Sequence, residues 1–123
     1  MTRVLVADDD QDSCQALSAL LSGWGYEVAE AADGNEALDR AIVFRPSLIV
    51  TDLVMPGMDG LALLKALRVE LPASTVIVLT GHATIETAVA AMRDGAYDYL
   101  PKPVDLRRLR ALVDKALEQS QVL

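Results

Sequence analysis

Four groups of side chains in this sequence could do chemistry. Asp8, Asp9 and Asp10 follow the apolar run Val4-Leu5-Val6-Ala7, and a lone Asp52 follows Leu48-Ile49-Val50-Thr51. Thr80 and Gly81 close the run Val76-Ile77-Val78-Leu79, and Lys102 stands between Pro101 and Pro103. At an effective dielectric of about 20, two carboxylates roughly 4 Å apart repel by about 4 kcal/mol, so a chain that gathers them needs a cation or a proton as offset. An all-oxygen site suits Mg²⁺, which takes a few carboxylates, a carbonyl and retained waters. Each residue also has a plainer reading alone: the acid run as helix caps, Thr80 as a strand end, Lys102 as a solvated charge. Taken together, the acids, hydroxyl and ammonium describe a phosphoryl site.

The apolar runs are the elements that must position these groups. Short runs, most of them rich in branched residues, stand at Arg3 to Ala7, Glu27 to Ala31, Ser47 to Thr51, Thr75 to Thr80 and, more weakly, around Asp98 to Leu100. That pattern predicts five buried parallel strands. Between them residues recur at helical steps that mark apolar faces: Cys14, Leu17, Leu21 and Trp24, then Ala37, Leu38, Ala41 and Ile42, then Leu61, Leu64, Arg68 and Leu71. Ile85, Ala88, Val89 and Met92 form a fourth apolar face, and Leu106, Leu109, Val113 and Leu117 a fifth. Gly23, Gly25, Asp33-Gly34, Pro46, Pro72 and Gly95 punctuate these segments, and Asp105 is placed to cap the last helix. The expected fold is α/β: a (βα)₅ doubly wound, parallel five-stranded sheet in the flavodoxin-like order 2-1-3-4-5 with right-handed crossovers. Ligands of such sheets sit beyond the carboxyl ends of the strands, where the acids, Thr80 and Lys102 fall.

Composition narrows the function classes. Eleven Lys plus Arg against eighteen Asp plus Glu give a formal charge of −7, which opposes binding to nucleic acid or to an anionic membrane. Cys14, the only cysteine, cannot form an internal disulfide, and no apolar run approaches the roughly 20 residues that span a bilayer. The opening MTRVLVADDD lacks the pattern of a signal peptide. These features predict one cytoplasmic domain over residues 1–123, with 118–123 as a candidate start of a linker to an output domain. A chain of this size buries about two-thirds of its unfolded surface around one core.

The residues Asp8-Asp9, Asp52, Thr80, Tyr99 and Lys102, with the segments TDLVMPGMDG and GAYDYLPKP, resemble a bacterial response-regulator receiver domain along the whole chain. The two segments are most similar to receivers of NtrC-type transcriptional activators. The resemblance implies that Asp52 takes a phosphoryl group from a sensor histidine kinase, and that Asp8, Asp9, Asp52 and the Val54 carbonyl hold Mg²⁺, Asp8 through water. It implies that Lys102 neutralises a phosphoryl oxygen across a cis Lys102-Pro103 bond, and that Thr80 and Tyr99 move as a switch. It further implies a phosphorylation-controlled switch and not an enzyme, a homodimer through helix 4, strand 5 and helix 5, and an output domain in the same chain that controls transcription. Val54 and His82, two residues after Asp52 and Thr80, occupy the positions that tune phosphoryl lifetime in the family.

Two other classes fit less well. A Mg²⁺-dependent phosphohydrolase would want an acid two residues after its nucleophile, where this chain has Val54. A flavin carrier would want a Ser/Thr/Gly-rich phosphate loop after the first strand, where three aspartates stand. Cys14 reads as a buried small hydrophobe, Met55 and Met58 as packing, and Trp24 as remote from the acids.

Overall fold

The alternation of the strand residues explains why the sheet is covered on both sides. The computed structural model describes residues 1–121, with side chains through Glu118. Five strands, β1 (Arg3–Ala7), β2 (Glu27–Ala31), β3 (Leu48–Thr51), β4 (Thr75–Thr80) and β5 (Asp98–Pro101), alternate with five helices. These are α1 (Gln11–Gly23), α2 (Gly34–Phe44), α3 (Gly60–Glu70), α4 (Ile85–Arg93) and α5 (Leu106–Gln121). All strand pairs are parallel, in the order β2-β1-β3-β4-β5. The expected architecture is the observed one.

Successive side chains of a strand face opposite ways, so each buried strand feeds two cores. Leu5, Ile49, Val76 and Val78 join Ala37, Ala41, Leu63 and Leu67 on the face covered by α2, α3 and α4. Val4, Val6, Leu48, Val50 and Ile77 join Cys14, Leu21, Leu109 and Val113 on the face covered by α1 and α5. The amino-terminal end of the sheet is tied by two longer side chains of α5. Arg110 lies over the Trp24 ring, and Asp114 accepts from the Tyr26 hydroxyl at 3.0 Å.

The helix boundaries follow their capping chemistry. Asp10, Asp33, Asp59 and Thr84 cap α1 to α4, and the Asp105 carboxylate accepts from the first-turn amides of Arg107 and Arg108. Gly25 and Gly95 take positive φ just after α1 and α4, whereas α2 ends on Arg45, a non-glycine at φ 56.

Small departures from the sequence expectation occur at edges. β3 begins at Leu48, not Ser47, and β5 runs one residue further, to Pro101. The apolar stripe of α4 is present but faces solvent: Ile85 is 84% and Val89 58% exposed, while Ala91 is the buried residue. Small alanines let the other side of α4 lie close to the sheet, so its large apolar groups are left outside. Of the expected linker start at 118–123, residues 122 and 123 lie outside the described residues.

Candidate functional site

Strand register sets the two deepest acids side by side. Ala7 pairs with Thr51, and the next amide, that of Asp52, still donates to the Ala7 carbonyl at 2.9 Å. Asp8 and Asp52 are buried, and Asp9 is exposed. One carboxylate oxygen from each of the three lies within 4.8 Å of the others. Such a cluster raises the local negative potential and demands positive charge.

Lys102 answers part of that demand. Its Nζ donates to Asp8 Oδ2 at 2.7 Å and to Asp52 Oδ2 at 3.3 Å. Burial pushes the Lys102 pKa down, but the hydrogen bond and charge of Asp8, reinforced by Asp52, outweigh it and hold the group above the ordinary lysine value. The ammonium is therefore firmly charged at neutral pH. The Lys102-Pro103 bond is cis, as the resemblance implied.

Backbone amides hold the remaining carboxylate oxygens. Asp8 Oδ1 accepts from the Asp10 amide at 2.9 Å, and Asp52 Oδ1 accepts from the amides of Leu53 at 2.6 Å and Val54 at 3.4 Å. Asp10 turns elsewhere, accepting from the Asp12 and Ser13 amides at the start of α1. The acid run is thus divided between site and cap. The structure gathers Asp8, Asp9, Asp52 and Lys102.

The other expected residues flank that centre. Thr80 is fully buried at the end of β4, its Oγ1 accepting from the His82 amide at 3.0 Å, and its carbonyl accepts from the Lys102 amide at 2.8 Å. The His82 side chain is in the exposed loop, and Val54 is also exposed. Tyr99 is half-buried and turned to α4, where its hydroxyl bonds Thr87 Oγ1 at 2.5 Å. Sequence reasoning did not find Thr87. The signal was there in the Thr84-x-x-Thr87 spacing of a capping box, but the partner of Tyr99 depends on how α4 lies on β5.

Three clustered carboxylates beside open backbone form a hard, all-oxygen donor set that suits a small divalent cation. The Asp52 carboxylate keeps an ammonium beside it, and carboxylates are among the oxygen nucleophiles that form covalent intermediates. The family profile described as response regulator receiver domain matches residues 4–114. The chain belongs to that family.

Receiver domains of two-component response regulators are phosphorylation-controlled switches that sensor kinases phosphorylate. This one is similar to the transcriptional regulatory protein ZraR of Escherichia coli O157:H7, 42% identical over 98% of this chain and 27% of that protein. It is also similar to the DNA-binding transcriptional regulator NtrC of Klebsiella pneumoniae, 41% identical over 94% of this chain and 25% of that protein. The chain therefore spans about a quarter of the length of the curated relatives it matches. Among solved structures, the beryllofluoride-activated NtrC4 receiver domain dimer aligns with a TM-score of 0.91 at 36% identity, covering 98% of this chain and 100% of that one. No helix among the described residues is long and apolar enough to cross a membrane.

Proposed function

We propose that Asp52 is the phosphoacceptor of this receiver domain and that Asp8, Asp9, Asp52 and the Val54 carbonyl hold Mg²⁺. The observation that carries this reading is the Lys102 ammonium bridging Asp8 and Asp52, with Asp9 within reach of the same point. Mg²⁺ bound there supplies charge neutralisation for the phosphoryl oxygens. An Asp52 oxygen forms the new P–O bond as the P–N bond of a kinase phosphohistidine breaks, and the bonding pair leaves on the imidazole nitrogen. Oδ2 is the freer oxygen, because Oδ1 already accepts from two backbone amides. Lys102 exchanges its carboxylate contact for a phosphoryl oxygen, a transfer that suits a point charge.

The flanking residues relay the change. Turning the Thr80 hydroxyl toward the phosphoryl group pulls on the His82 amide bonded to it, which draws the 81–84 loop inward. Tyr99 then gives up Thr87 and moves toward the space left. His82 and Val54, at the rim, set the lifetime of the phosphoryl group by controlling the approach of water.

The activated domain forms a homodimer, as the similar beryllofluoride-activated NtrC4 receiver does, here through α4, β5 and α5, and controls a transcriptional output domain in cis within the cytoplasm. Incubation with Mg²⁺ and acetyl phosphate tests the assignment: intact mass should rise by one phosphoryl group and stay unchanged in Asp52→Ala. Modification of that variant would overturn it.

A further inference from the structure

Two backbones meet without side chains between them where α2 begins. Gly34, the first residue of α2, is buried and has no positive φ, so its backbone conformation does not call for glycine. Its surroundings do. A Cβ at residue 34 would lie 2.1 Å from the Met58 carbonyl oxygen, 2.8 Å from Met58 Cβ and 2.9 Å from the Met58 carbonyl carbon. One residue along, Asn35 Nδ2 would lie 3.2 Å from a Cβ on Gly57, which sits at φ +74. The first turn of α2, fixed by the Asp33 carboxylate accepting from the Glu36 amide at 2.8 Å, therefore rests directly on residues 57 and 58.

That stretch belongs to the loop that leaves Asp52. At its far end the Gly60 amide donates to the Leu53 carbonyl at 2.7 Å, and a Cβ on Gly60 would lie 2.3 Å from the Asp52 carbonyl oxygen. The loop is thus closed on itself at its two ends and pressed from one side by the backbone of α2, which cannot yield as a flexible side chain would. Within it lie the Leu53 and Val54 amides that orient the Asp52 carboxylate. A shift at Met58 is transmitted to that carboxylate through a short, closed loop.

We infer that Gly34 and Asn35 are positioning residues for the cation and phosphoryl site, setting how far the 53–59 loop stands from the sheet. The inference rests on the reading of that site as a Mg²⁺ centre. Relieving a contact of 2.1 Å takes roughly 1 Å of movement. A Mg²⁺ site tolerates about half that, because the ion demands near-octahedral geometry. Supporting groups one step removed from a metal typically change its affinity by about 10- to 100-fold when altered.

The test is a Mg²⁺ titration of wild type, Gly34→Ala, Asn35→Ala and Ile42→Gly, followed by the amide chemical shifts of Leu53 and Val54, with thermal unfolding of each in EDTA. Ile42→Gly weakens the same helix from an exposed position outside the core cluster that Leu53 and Met55 share. Gly34→Ala should raise the Mg²⁺ midpoint about tenfold or more, while Ile42→Gly lowers the melting temperature and leaves the midpoint in place. A Gly34→Ala midpoint equal to wild type, or one raised equally by Ile42→Gly, overturns the inference. Should Gly34→Ala fail to fold, the exposed Asn35→Ala decides: a raised midpoint supports the inference and an unchanged one overturns it. Wild type that binds no Mg²⁺ overturns the underlying reading instead, and the inference with it.

Discussion

Lys102 is the residue on which the resting site depends. It stands between two buried carboxylates, and removing one partner of a buried pair leaves charge uncompensated, at a cost of about 3–5 kcal/mol when burial is complete. Lys102 keeps 27% of its side chain exposed, so Lys102→Met should cost less, about 1–3 kcal/mol in EDTA, and Mg²⁺ should restore part of it. Chemical denaturation with and without the ion checks this. Burial, with Glu30 and Asp8 adding to it, pushes the Cys14 thiol up from 9.0 to about 11. A group raised on folding contributes stability that is whole below its unfolded value and is lost as pH climbs through its folded one. The urea midpoint should therefore fall between about pH 9 and 11, and less steeply in Cys14→Ala. The acids were legible in the sequence because they follow apolar runs, and Lys102 because prolines flank it just after the last one. Gly34 was read only as a turn signal, since nothing local announces that Met58 lies against it.

Single elements show which parts of the pattern carry information about direction. Apolar spacing identified α4 correctly, yet spacing is blind to which side meets the sheet. Thr84 and Thr87 start this helix with reciprocal bonds, and Thr87 also holds Tyr99. Replacing Thr84 by Ala should cost about 1 kcal/mol of stability. Calorimetry measures that loss, and NMR of the Tyr99 ring should report a looser contact with α4. A loss equal to zero would mean that the cap is dispensable. The stripe of Ile85, Val89 and Met92 left in solvent is the kind of surface that association covers.

For the whole molecule, the expected outcome is association on phosphorylation. Moving a two-state population from 1:99 to 99:1 takes about 5.5 kcal/mol of differential binding, more than one phosphoryl group's new contacts comfortably supply, so covering the α4 stripe is a natural second contribution. Gel filtration of acetyl phosphate-treated protein should show a larger species that Val89→Lys abolishes without blocking phosphoryl uptake. An unaltered profile in Val89→Lys would place the dimer contact elsewhere. The strand order was legible because buried parallel strands and crossover helices leave few alternatives. The exposure of individual helix faces was not, because it depends on side-chain sizes across an interface.

The bridge from β5 to β1 has a temporal meaning. A nascent chain acquires its three acids well before Lys102 leaves the ribosome, and the counter-charge arrives only when the final βα unit docks. Competence to receive a signal is thus withheld until the fifth strand has emerged and docked, and a nascent chain that stops short of it stays silent.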